Sequence, residues 1–345
     1  QTTTILCPAN IITNLSQMSL HFTCTPSSGE TTDVVCVPAS HQLIDRVSVE
    51  IGGQTISNIS NYGEAYTLLM NLTSSPEKVE AQQPTHNVAP LSFRHSTVGA
   101  YDADNAARAR DLVCDNWLGF QDCSPEYIST QLLPDILIRI TWKPASVIYS
   151  HNAAEDDVAT GPISFVCSNI VAVFETLEIN DGVYDAMLQT RLMSGEPLEI
   201  PFGNVITNTG AKDGSTGTFR TTASSKSIDK VITAVRAVNF QTNSVGDALH
   251  VQPVSQTALL ADAGGNDGGF GLGGIAGNHY KFEDRGINSW YYMVDSQRYP
   301  AFNVDTDTQT LQQARSCFGN NADFAQGDLL CRPVSDAYGG VGGTA

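Results

Sequence analysis

Glycines spaced Gly269-x-Gly271-x-x-Gly274, inside the run AGGNDGGFGLGGIAGNHY (263–280), match the pattern with which a βαβ unit wraps a dinucleotide pyrophosphate. That chemistry needs a buried strand entering the glycine turn and a helix leaving it, whose free N–H groups point at the phosphates. Neither flank is present. Asp262, Gly264, Gly265, Asn266 and Asp267 upstream are turn formers, and Asn278, Lys281, Glu283, Asp284 and Gly286 downstream carry no apolar stripe at helical spacing. In a chain with 29 glycines the bare spacing identifies no site, and the run reads as a long surface loop.

Other chemistry-bearing residues are equally dispersed. The seven histidines, at 21, 41, 86, 95, 151, 250 and 279, never stand at i, i+4 around a glutamate, so spacing supports no His-based metal site. His95 with Ser96, Asp102 or Asp104 makes a triad only on paper, because triads are defined by geometry. The acidic groups Asp102 and Asp104, Glu155 to Asp157, and Asp305 with Asp307 suggest glycosidase carboxylates. All lie in loop-like sequence, where acids are solvated, and Asp305 or Asp307 suits a helix cap. Eight cysteines, at 7, 24, 36, 114, 123, 167, 317 and 331, show no C-x2-C or C-x4-C pair. Cys24, Cys36 and Cys167 sit in strand-like apolar runs, where a reduced thiol acts as a small hydrophobe. We therefore expect no catalytic residue, no cofactor and no metal, and a protein that is not an enzyme. Three sequons, at Asn14, Asn58 and Asn71, match the glycosylation pattern.

Acidic residues outnumber basic ones 36 to 18, a net charge of -18 that repels polyphosphate, and the basic residues are scattered singly. Direct sequence-specific binding of nucleic acid is not expected. No apolar run approaches the ~20 residues that cross a bilayer, and no leader pattern follows Gln1.

The elements that must position any site follow from periodicity. SLHFTCT (19–25) puts Leu20, Phe22 and Cys24 on one face, and Val47, Val49 and Ile51 alternate with Arg46, Ser48 and Glu50 up to Gly52-Gly53. Ile136, Ile138, Ile140 and Trp142 alternate with Leu137, Arg139 and Thr141 between Pro134 and Pro144. ISFVCSNIVAVFETLEI (163–179) predicts one long strand, or two around a bulge near Ser168-Asn169. Short helices are predicted over 61–71, with Tyr62, Tyr66, Leu69 and Met70 on one side, over 182–194, and over 306–318 with Thr306 or Asp307 as cap. Irregular sequence fills 74–110, 151–162, 208–219 and 239–286. The chain is long enough for two cores of an all-β sandwich class: 1–150, a linker at 151–162, and 163–345.

Five runs occur in an order that resembles a known family. HQLIDRVSVEIGGQTISNISNY (41–62) is similar to a strand and turn in the first roll of double jelly-roll major capsid proteins, above all those of virophages and Polinton-like viruses. CDNWLGFQDCSPEYISTQLLPDILIRITWKPASVIYS (114–150) resembles the end of that roll, and ISFVCSNIVAVFETLEINDGVYDAMLQTRL (163–192) the opening of the second. SKSIDKVITAVR (225–236) and WYYMVDSQRYPAFNVDT (290–306) resemble later second-roll elements. After Gly319 too few strands are expected to complete that roll.

The resemblance implies two tandem jelly rolls in a non-enzymatic major capsid protein of a double-stranded DNA virus. Its partners would be two further copies in a homotrimeric, pseudo-hexameric capsomer, neighbouring capsomers, and penton and minor or cement proteins of an icosahedral virion. Such shells assemble inside the host cell and commonly enclose a membrane. A fivefold vertex protein, normally a single roll, fits tandem rolls less well. The other class is an extracellular carbohydrate-binding or glycan-cleaving β sandwich, with SWYYMVDSQRYP (289–300) as an aromatic platform. Alternation of Trp290, Tyr292 and Val294 predicts instead the core side of a strand.

The two readings of 263–280 separate by experiment. Shortening 264–274 should leave the thermal midpoint nearly unchanged, because loop closure changes by only ~0.6 kcal/mol per doubling of length. Neither ATP nor NAD should shift the midpoint of the intact chain, whereas a phosphate cradle would give a rise that the deletion abolishes.

Overall fold

The computed structural model describes residues 1–29, 33–73, 81–82, 84–87, 109–123, 126–152, 162–179, 182–195, 199–210, 216–221, 227–234, 287, 289–306, 309–310 and 312–313. One sheet has the order β1 (Thr2–Leu6), β8 (Ile136–Trp142), β4 (Ile44–Ile51), β5 (Gln54–Ser60). A second has the order β10 (Ile163–Leu177), β2 (Ile12–Ser28), β6 (Arg110–Cys114), with β7 (Tyr127–Ser129) also on β2. Two ribbons, β3 (Asp33–Cys36) with β9 (Tyr149–Asn152) and β11 (Trp290–Val294) with β12 (Gln297–Val304), complete the strands. Every pairing between these strands is antiparallel, as the all-β jelly-roll class expects.

The predicted alternations are the observed faces. Leu20, Phe22 and Cys24 of β2 are buried, as are Val47 and Val49 of β4 and Ile136, Ile138, Ile140 and Trp142 of β8. These apolar faces meet: Phe22 of β2 packs edge to face on Trp142 of β8 with ring centroids 5.0 Å apart. Gly52 and Gly53, both at positive φ, make the two-residue turn between β4 and β5 that a side chain would strain.

β10 is one strand with a bulge, at the predicted place. Ser168 faces Thr23 and Val171 faces His21, so β10 carries one extra residue, and Asn169 there has φ 52°. The extra residue reverses the inward parity: Phe165 and Cys167 precede it, and Ile170, Ala172 and Phe174 follow it, all packed against the core. The predicted linker begins inside structure, because Tyr149–Asn152 pairs with β3. Beyond 179 the described residues include a helix, α2 (Gly182–Met193), and the β11–β12 hairpin, while most of the expected second roll lies outside the described residues.

The helix over 61–71 is α1 (Tyr62–Thr73), burying Tyr62, Tyr66 and Met70. Its first turn lies against the 3-10 turn Ser40–Leu43 so closely that a Cβ on Gly63 would stand 2.7 Å from the His41 carbonyl oxygen. Gln42 donates to the Gly63 carbonyl at 3.3 Å and to the Thr67 hydroxyl, and Lys143 pairs with Glu64 with both side chains largely buried.

Two outcomes follow for urea denaturation. Gly63→Ala should cost about 1–3 kcal/mol through overpacking, although alanine is the better helix former. Lys143→Met should cost about 3–5 kcal/mol, because it removes the cation paired with a largely buried carboxylate, whereas Arg139→Met, which breaks the more exposed pair with Glu50, should cost under ~1 kcal/mol.

Candidate functional site

The docking of α1 on the 3-10 turn brings together three residues remote in sequence. His41 lies within that turn, His86 in a helical stretch at 84–86 after α1, and Asp115 directly after β6. One ligand atom of each lies within 4.8 Å of the others, and both histidines are buried while Asp115 is half-buried.

Packing holds each ring. The His41 imidazole stacks on Tyr66 at 3.6 Å between centroids and on His86 at 5.6 Å, with Trp117 edge-on at 6.1 Å. Trp117 is itself pinned by its indole N–H to the Met18 carbonyl at 2.7 Å, and the Tyr62 hydroxyl accepts from the Leu118 N–H at 3.1 Å. Asn87 ties the same stretch to the approach of the 3-10 turn, donating to the Val37 carbonyl at 2.6 Å. The described contacts thus clamp 84–87 onto the rim of the sandwich.

Its polar groups are unequally satisfied. His86 Nε2 is 3.0 Å from Asp115 Oδ1, and His86 Nδ1 is 2.8 Å from the Thr85 hydroxyl, which also donates to the Gln82 carbonyl at 3.4 Å. Among the described residues neither ring nitrogen of His41 has a hydrogen-bond partner, although the residue is only 2% exposed. Burial, with a smaller contribution from His86, holds the His41 imidazole neutral by lowering its pKa to about 3, against a weak opposing pull from Asp115. Burial works to raise the Asp115 carboxyl, but the hydrogen bond and charge of His86, with the Asn116 amide, leave it below its ordinary value. A neutral imidazole, a second imidazole and a carboxylate form a donor set for a divalent transition-metal ion. The hydroxyl–imidazole–carboxylate line of Thr85, His86 and Asp115 has the connectivity of a nucleophile triad. Thr85, however, adjoins His86 in the chain and gives its proton within its own turn.

The residues weighed from sequence do not converge here. The glycine run 263–280, His95, Ser96, Asp102, Asp104, Glu155 to Asp157 and Asp307 lie outside the described residues. Asp305 is exposed, and Thr306 is the cap: its hydroxyl accepts from the Gln309 N–H at 3.2 Å. Trp290 and Tyr292 are half-buried and meet edge to face at 5.3 Å, but Val294, expected on the core side, is 38% exposed; among the described strands β11 pairs with β12 alone. Asn14 is buried, with its Oδ1 accepting from the Ser16 amide and hydroxyl, whereas Asn58 is exposed and the Asn71 side chain lies outside the described residues.

Cys7, Cys24, Cys114 and Cys167 are free thiols. Cys24 stands directly across from Cys167 between β2 and β10, and the hydrogen bond between them, with burial, pushes the Cys24 thiol up. Only the fold could have nominated His41, His86 and Asp115, since they fall in three separate elements with no motif spacing.

No family model matches this chain, and no curated protein matches it. Among solved structures the chain is similar to the crystal structure of mavirus major capsid protein, at 11% identity and a TM-score of 0.30. That match covers 53% of this chain and 44% of the other, so the chain spans less than half of the length of the structure it matches.

Proposed function

We propose that this protein is a structural subunit of a viral shell, a non-enzymatic major capsid protein of the double jelly-roll type that assembles as a homotrimer. The observation that carries the reading is the outer face of β10. Among the described strands β10 is the edge strand of its sheet, and Val166, Val171 and Val173 on its outer side are 57%, 55% and 48% exposed. A long edge strand with an apolar outer face is a liability for a free monomer, and natural proteins cover such edges. A neighbouring subunit supplies that cover in a permanent assembly. The ordered resemblance of five sequence blocks to capsid proteins supports the same reading, as does an acidic chain poorly suited to gripping a genome.

Closed threefold rings use heterologous contacts, in which one side of a protomer fits a different side of the next. β10, with α2 following it, is suited to such a contact, because the bulge at Asn169 keeps its inner face on the core while its outer valines remain available. The neighbours in the shell, the penton and cement proteins and an enclosed membrane belong to the same proposal.

Native mass measurement of the purified chain should give a trimer whose interface buries more than ~2,000 Å² in total, the size of obligate assemblies. Val171→Lys with Val173→Lys should yield monomers that keep the β signature in circular dichroism. A monodisperse monomer from the unaltered chain would overturn the reading, as would a glycan-cleaving activity that Asp305→Asn abolishes without unfolding.

A further inference from the structure

We infer that His41, His86 and Asp115 form a binding site for a divalent transition-metal ion of the zinc type, which staples the 84–87 stretch to the rim of the first sandwich. Two observations converge on it. The ligand atoms are already gathered within 4.8 Å, from three chain segments that the fold alone brings together. The 3.0 Å hydrogen bond between His86 Nε2 and Asp115 Oδ1 gives way on binding and opens to about 3.3–3.6 Å, the separation of two ligand atoms at bonds of ~2.0–2.2 Å and tetrahedral angles. His41, buried and with both nitrogens unpartnered, has no other described use for its lone pair.

The surroundings supply what such a site needs beyond its ligands. Thr85 fixes the orientation of His86 through Nδ1, leaving Nε2 for the ion, in the manner of the outer-shell partners that orient metal-bound histidines. Tyr66 stacks on His41 from α1 and fixes the plane of the ring beside the other two ligands. Asp115, half-exposed, gives the route of entry and leaves a position for water. Two imidazoles and one carboxylate, without a thiolate, favour zinc and its neighbours over calcium or magnesium, which prefer all-oxygen shells.

The test uses the full chain, stripped with EDTA and titrated with Zn²⁺, Co²⁺, Mg²⁺ and Ca²⁺. The expected result is one zinc per chain, a rise in thermal midpoint with zinc but not with magnesium or calcium, and a Co²⁺ visible spectrum without the near-ultraviolet thiolate charge-transfer band. His41→Phe and Asp115→Asn should each weaken zinc binding by at least about 100-fold, since loss of outer-shell partners alone costs 10–100-fold. The half-exposed Asp115→Asn serves as the variant should the core reject phenylalanine at position 41. No saturable zinc binding, a thiolate band indicating that the cysteines take the ion, or full-strength binding in Asp115→Asn would each overturn the assignment.

Discussion

The edge-to-face contact of Phe22 with Trp142 joins the two sheets into one core, and much of the molecule depends on it. Phe22 belongs to β2, the strand that also carries β6, β7 and β10, while Trp142 ends β8, which lies between β1 and β4. Because side chains alternate at period two, placing Phe22 inward places Leu20 and Cys24 inward as well, and the same holds for Ile136, Ile138 and Ile140 on β8. A one-residue slip in either strand would turn an entire apolar face to solvent. That cost, spread over both apolar faces, fixes the register of the two sheets that the ring pair joins.

At the rim of this core, polar groups are buried in unusual density. α1 presses its Gly63 against the 3-10 turn, and the space left holds His41, Gln42, Thr67 and the Lys143–Glu64 pair. The Gln42 amide N–H and the Thr67 hydroxyl bond one another and the Gly63 carbonyl, while Gln42 Oε1, like both His41 nitrogens, is buried with no hydrogen-bond partner among the described residues. The stack of His41 on Tyr66 holds the ring where desolvation keeps it neutral. A buried imidazole without a partner costs stability unless something else draws on its lone pair.

The opposite edge poses a different problem. β10 has to follow β2 over most of its length, yet its apolar residues change parity at Asn169, where the bulge absorbs the change. Its inner face therefore stays on the core on both sides of the bulge. Its valines then have only the outside to face. The proposed assembly rests on the geometry of this one strand.

Much of the architecture was legible before the fold was known. The faces of β2, β4 and β8, the bulge in β10, the turn at Gly52-Gly53 and the helix beginning at Tyr62 all follow from local rules: alternation, proline brackets and glycine turns act between residues near in sequence. The Val294 face was misjudged by those same rules, because alternation specifies which residues share a side but not whether another layer covers it. The chain by itself determined an acidic, antiparallel β protein, its main strands and their inward faces, since hydrophobic period and turn chemistry are properties of short segments. Only the tertiary structure decided that positions 41, 86 and 115 meet and that Cys24 faces Cys167. Those meetings depend on how α1 closes over a turn and how β10 registers on β2, and no local spacing encodes a contact between elements that far apart in the chain.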